Sequence, residues 1–182
     1  MLEGMFGKVI AGMLSFSTLF FSSYTGNEPV FKPLQCRTGK NYLIVRAKLE
    51  SAFDNDFTDV FKCGKPINIW FKADLKSGST VLYTRNYRHT VNYDPMNETW
   101  QVFFSENSQT EVYTTYTKLL SSISELEVSV PVEPNWKTVV LRVESWLQPV
   151  EISNSRDRID LMVLWKYKRP SVKTTLDLTR IS

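Results

Sequence analysis

The chain has one imidazole, His89, and two thiols, Cys36 and Cys63, in 182 residues. Those three side chains bound the chemistry it can attempt. An acid–base enzyme often relies on an imidazole whose charge changes near neutrality. His89 lies in an alternating stretch that puts it on one face with Val81, Tyr83, Arg85, Tyr87, Val91 and Tyr93. Two readings follow. An aromatic cleft holding Arg85 and His89 could bind a sugar or an anionic group, or the tyrosines pack on a sheet face with the polar pair at its margin. A Ser–His–acid triad would have to recruit the same His89, yet no Gly-x-Ser-x-Gly elbow occurs, and Ser77-Gly78-Ser79 is turn chemistry. The carboxylates nearest to a hydrolytic pair are Asp54, Asp56 and Asp59 and, further on, Glu125 and Glu127. The first group is more economically the start of a helix, where negative charge meets the positive end of the dipole.

The two cysteines are too far apart in sequence, and His89 too solitary, for a metal site. Gly-rich phosphate loops, HExxH and EF-hand patterns do not occur either. The sequence therefore predicts neither a catalytic set nor a metal or cofactor. In an oxidising compartment Cys36 and Cys63 could close a disulfide, worth roughly 3–4 kcal/mol in the chain-entropy model; two separate buried thiols are the alternative. Trp70 and Trp146 alternate with charged residues, which assigns them to the polar faces of their strands. Exposed aromatics on rigid strands suit a protein interface or sugar stacking, and a covering helix or second sheet is the other possibility. Lys166, Lys168 and Arg169 form a basic strand end that suits either anionic lipid headgroups or plain solvent. Asn97-Glu98-Thr99 has the letters of a glycosylation sequon and reads as a turn.

The elements that must carry these residues follow from periodicity. Residues 42–50 alternate, with Leu43, Val45, Ala47 and Leu49 on one face. Phe53, Phe57, Val60 and Phe61 then change to helical spacing, and Gly64 offers a left-handed exit. Strands are predicted over 66–76, 80–93, 99–104 and 137–147, with the second and third joined as a hairpin across residues 94–98. A brief strand at 110–113 precedes a short amphipathic helix built on Tyr116, Leu119, Leu120 and Ile123. Leu126, Val128 and Val130 alternate before Pro131 and Pro134. A polar turn at 153–157 leads to a last strand over 159–167 carrying Leu161, Val163 and Trp165, and the tail to Ser182 adds an edge strand or frays. Seven or eight strands with tight connections and no βαβ alternation predict a mainly β protein. The expected form is an antiparallel, immunoglobulin-like β-sandwich with two short helical inserts.

Residues 1–8 carry one Lys and one Glu, and residues 9–21, VIAGMLSFSTLFF, are almost wholly apolar, with SSYTGNEP directly after. These are the three parts of a secretory signal. The run is shorter than the roughly 20 residues of a spanning helix, so cleavage is the first reading and an uncleaved membrane anchor the second. The expected organisation is a signal or anchor over 1–25, a linker over 26–40 and a single β-sandwich domain over 41–182. A net charge of +3 with no long basic block does not call for a nucleic-acid partner.

The order YLIVRAKL, a short helix ending at Gly64, PINIWFKADL, the hairpin VNYDPMNETWQVFF and VVLRVESWLQPV resembles a bacterial family of exported proteins. That family is known only as a domain of unknown function, number forty-three ninety. In its members a similar hairpin carries a Tyr before the turn and an aromatic residue after it, matching Tyr93 and Trp100. The closing LWKYKRPSVKTTLDLTRIS departs from the family's Trp-rich end, and the two cysteines lie outside its pattern. The resemblance implies export and a fold, and it carries over no functional residue.

Together these readings predict an exported protein, periplasmic or anchored in the inner membrane facing the periplasm, which acts without catalysis as an interaction or accessory module for an envelope protein partner. Peripheral or N-terminal membrane association fits the leader, and the oligomeric state stays open. The alternative is a small carbohydrate- or lipid-binding module using Trp70, Tyr83, Tyr87 or Trp146. A hydrolase dependent on His89 is a third class.

Overall fold

The computed structural model describes residues 24–151 and 158–179. The apolar run at 9–21, the polar turn at 153–157 and the last three residues lie outside the described residues. The strands are β1 (Val30–Phe31), β2 (Gln35–Thr38), β3 (Tyr42–Glu50), β4 (Ile67–Ser77), β5 (Thr80–Asp94), β6 (Thr99–Phe104), β7 (Gln109–Tyr113), β8 (Glu125–Pro131), β9 (Thr138–Leu147), β10 (Val150–Glu151), β11 (Arg158–Ile159) and β12 (Ser171–Asp177). Among the described residues two α-helices interrupt them, α1 (Phe57–Phe61) and α2 (Tyr116–Ile123), and a 3-10 helix spans Leu161–Trp165.

Strict period-two patterning builds the two main sheets. The alternate residues Leu43, Val45, Ala47 and Leu49 of β3 are buried, as are Ile67, Ile69, Phe71, Ala73 and Leu75 of β4 and Val139, Leu141, Val143, Ser145 and Leu147 of β9. Six strands pair in the order β12-β9-β4-β5-β6-β7. A smaller sheet centres on β3, which is flanked by β2 and β8 and paired at its C-terminal end with β1. Every pairing between strands is antiparallel. The protein is therefore mainly β with antiparallel sheets, and the inward residues of both sheets join one hydrophobic cluster. Phe31 meets Phe71 across it, ring centroids 6.5 Å apart.

The predicted strand over 159–167 is instead a short β11 followed by the 3-10 helix. Leu161, Val163 and Trp165 alternate in sequence, but Leu161, Met162, Leu164 and Trp165 are all buried, a pattern no single strand face can satisfy. Asp160 starts the helix by accepting the Met162 amide at 2.9 Å, and Lys166 and Tyr167 end it in left-handed conformations. Trp165 is thereby driven into the core, where it packs against Phe53 and donates its indole N–H to the Ala52 carbonyl at 2.7 Å.

The expected linker over 26–40 holds β1 and β2, which are too short to show a period and are separated by Pro33. Its start is tied into the fold by side-chain and backbone hydrogen bonds. Asn27 is buried and donates its backbone N–H to Leu164 O at 2.8 Å and its side-chain amide to Asn55 O at 2.9 Å, while its own Oδ1 accepts from Asn55 N. Gly26 donates to Asp56 Oδ2 at 2.9 Å and accepts from Asn55 Nδ2 at 3.0 Å. Lys166 and Lys168 both reach the Glu28 carboxylate, at 3.0 and 3.2 Å, and hold its pKa below the usual range. Residues 171–177, expected to pair at an edge or fray, form the edge strand β12.

Cys36 and Cys63 are free thiols, so the disulfide is not formed. Cys36 pairs through its backbone with Val45 in the smaller sheet, whereas Cys63 is buried beyond α1 with its Sγ toward Lys65 O. Burial pushes both thiols up, which keeps them protonated and poorly nucleophilic.

Replacing Trp165 tests the core directly. Trp165→Ala is expected to cost about 3–5 kcal/mol, and Trp165→Phe less, since it keeps the ring contacts and loses the bond to Ala52. Urea denaturation of both variants beside the wild type measures the difference.

Candidate functional site

The outer face of the six-stranded sheet carries an unusual row. The register sets Trp70 of β4 opposite Trp146 of β9 on one side and Arg88 of β5 on the other. Neighbouring outward side chains on paired strands stand close enough for large groups to meet. The two indoles stack, centroids 6.1 Å apart and planes within 6°. The Arg88 guanidinium lies 5.5 Å from the Trp70 ring and the Arg169 guanidinium 5.6 Å from Trp146, so the four side chains form an Arg–Trp–Trp–Arg stack across the strands.

Several bonds hold this row in place. Trp70 donates its indole N–H to Gln148 Oε1 at 2.8 Å. Ser145, fully buried on the opposite face, donates to the Trp70 carbonyl at 2.7 Å, and its own N–H donates to Pro170 O, which ties β9 both to β4 and to the segment bearing Arg169. Ser105 Oγ accepts the Arg88 backbone N–H at 2.6 Å. Arg88 Nε is buried with no hydrogen-bond partner among the described residues, and the guanidinium lies over the indole ring.

Charge continues along the same face. Lys72 pairs with Asp74 at 3.0 Å and Arg142 with Glu144 at 3.0 Å. Burial alone would push the Asp74 carboxyl up, but the Thr84 hydroxyl together with Lys72 and Lys76 leaves it below its usual value, as a carboxylate.

This geometry decides what the row can do chemically. Each indole is flanked by the other indole and by a guanidinium, which leaves less open ring face for a sugar to stack on. Ring edges and guanidinium N–H groups are what the surface presents. Trp70 and Trp146, expected on polar strand faces, are half-buried there. Arg88 and Arg169 complete the site. In the sequence Arg169 reads only as part of a basic strand end and Arg88 carries no signal, because pairing between distant strands selects them.

The tyrosine and histidine candidates end up elsewhere. Tyr83 and Tyr87 share a hydroxyl–hydroxyl bond of 2.7 Å, with exposed Arg85 lying over the Tyr87 ring at 5.6 Å. Tyr87 is buried, and that burial, followed by the bond to Tyr83, pushes its phenol well above the ordinary value. His89 is 0% exposed. Its ring sits between Phe71 and Phe104, with centroids at 4.9 and 4.8 Å. Neither His89 nor Tyr87 is open to a ligand, so of the two readings the cleft is corrected at these residues, and His89 lies in the core rather than at the margin of the tyrosine face. The carbonyl of Ile123 can only accept, so His89 Nδ1 donates to it, at 3.0 Å. Nε2 meets Glu106 Oε1 at 2.9 Å, a contact that needs one proton between the two groups. His89 thus ties β5 to the end of α2 and to the turn after β6.

Sequence reading missed an open cleft of about 440 Å³ lined by Lys40, Asn41, Asn135, Trp136, Lys137 and Leu178. Its residues come from three aperiodic loops, and the available signal was Trp136 standing among Pro, Asn and Lys. Among the described residues no group of three or more His, Cys, Asp or Glu could hold a metal ion, and no helix is long and apolar enough to cross a membrane. No family model, curated protein or solved structure matches the chain.

Removing the imidazole should damage the fold. His89→Ala strands the Glu106 carboxyl in the core and is expected to cost about 3–5 kcal/mol. Glu106→Gln, whose amide can donate to Nε2, should cost clearly less. Guanidinium titrations of the two variants give the comparison, and equal losses would refute this account of the pair.

Proposed function

We propose that this chain is an exported cell-envelope protein whose immunoglobulin-like sandwich works without catalysis, as a docking module for a protein partner. The observation that carries the reading is the Arg88–Trp70–Trp146–Arg169 stack on the outer sheet face. Trp and Arg dominate the energetically decisive centres of protein interfaces, and side chains already held by their neighbours lose little freedom on binding. The guanidinium edges suit carboxylate or carbonyl acceptors on the partner. Arg169 leads directly into β12, an edge strand that among the described residues pairs with β9 alone. Main-chain pairing along that edge, beside the aromatic anchors, is a recognised mode of partner capture. The leader at 9–21 and the resemblance to a family of exported bacterial proteins support placement in the envelope.

A second reading rests on the cleft at Trp136, whose lysines and asparagines suit a small acidic or carbohydrate ligand. In that case ligand would change tryptophan fluorescence in the wild type and not in Trp136→Phe.

In-cell crosslinking of the tagged full-length protein tests the leading reading. The wild type should retain a reproducible envelope protein, and Trp70→Ala or Trp146→Ala should weaken the purified complex by roughly thirty-fold in Kd, the equivalent of about 2 kcal/mol at an interface centre. Equal capture by the variants would remove the stack from the interface, and recovery of the chain alone would turn attention to the Trp136 cleft.

A further inference from the structure

The geometry around Gly26 points to a processing site: we infer that a signal peptidase cuts the Thr25–Gly26 bond, and that the new amino terminus is received by Asp56. The inference deepens the export reading above and rests on it.

Two independent observations select this bond. The first is the sequence at the exit of the apolar run. Signal peptidases take small side chains one and three residues before the cut. Cuts after Ser22 or Ser23 place Phe20 or Phe21 at the earlier position, a cut after Tyr24 places a bulky ring at the later one, and a cut after Gly26 places Tyr24 at the earlier one. Of the cuts at this exit, the one after Thr25 sets small residues at both, Ser23 and Thr25.

The second observation is where the fold takes hold of the chain. Tyr24 and Thr25 are exposed, whereas Gly26 and Asn27 are buried and bonded on both sides of their peptide link. A cut after Gly26 would remove the contacts of that residue with Asp56 and Asn55. Cutting one bond earlier keeps both and improves one. The Gly26 nitrogen is 2.9 Å from Asp56 Oδ2. Hydrolysis adds water across the Thr25–Gly26 peptide: the carboxylate leaves with Thr25, and the Gly26 amide nitrogen becomes an amine, protonated at neutral pH. An amide–carboxylate bond thereby becomes a charge-assisted one. Lys166, whose stem packs against Gly26, pairs with Glu28, which offsets part of its charge beside the new ammonium. Gly26 also has φ +69, a conformation that favours glycine, and a Cβ on it would come within 3.2 Å of Lys166 Cε.

The test is to produce the full chain with a C-terminal tag in a bacterial host with a periplasm, separate the compartments and measure intact mass and N-terminal sequence. The expected product is an exported protein beginning at Gly26, and Thr25→Phe should leave the leader attached. An exported product with any other start, or a full-length chain held in the membrane, overturns this inference and leaves export standing. A full-length chain confined to the cytoplasm overturns both. Asp56→Asn then separates the charge pair from simple packing. It should lower the Tm of the processed protein by about 2–4 °C and that of the unprocessed Thr25→Phe chain by clearly less, whereas equal shifts would show that no ammonium–carboxylate pair forms.

Discussion

The register of β4 between β5 and β9 is the constraint on which the rest of the structure depends. Its period-two pattern buries Ile67, Ile69, Phe71, Ala73 and Leu75 while Asn68, Trp70 and Lys72 face outward. A slip of one residue would exchange the two sets, taking Trp70 into the core and Phe71 out of it. The apolar burial on the inner face thus fixes the position of every group on the outer one. Trp70 meets Trp146 and Arg88 because Ile69 meets Leu147 and His89 one step away.

Polar groups inside the core reinforce that register. Ser145 reaches the Trp70 carbonyl from the buried face, and His89 reaches Ile123 and Glu106 from the middle of β5. Buried polar atoms bond only at particular positions, so they discriminate between registers that hydrophobic packing alone would tolerate. The 3-10 helix does comparable work at the end of the domain, where Trp165 binds Ala52 and Leu164 receives Asn27. The segment that begins at Gly26 and Asn27 is in this way fastened to a part of the fold made more than a hundred residues later.

Much of this was legible in the sequence, for physical reasons that also mark the limits. β3, β4 and β9 are long, half-buried strands whose two faces differ in polarity, so alternation exposes them, and the spacing of Phe57, Val60 and Phe61 or of Leu119 and Ile123 exposes the helices. β1 and β2 are too short to show a period. At Leu161–Trp165 the letters alternate while the burial does not, and the better signal was Asp160 as a helix cap. His89 showed its face correctly through its neighbours Tyr87 and Val91, but its polarity suggested a margin, and the partner that lets it be buried, Glu106, belongs to another turn. The outward placement of Trp70 and Trp146 could be read from alternation. Their stack could not, because it depends on which distant strands become neighbours.

The same stack has a mechanical consequence. It runs at right angles to the strands, over β5, β4, β9 and the approach to β12, and it stands above the plane of the backbone hydrogen bonds. Curling the sheet about the strand direction would have to squeeze the four planar groups together or pull them apart, and close-packed rings resist the first while losing attraction in the second. The row therefore acts as a brace along the outer surface. It keeps this part of the sheet stiff, so that the shape offered to the surroundings is the shape the fold already holds.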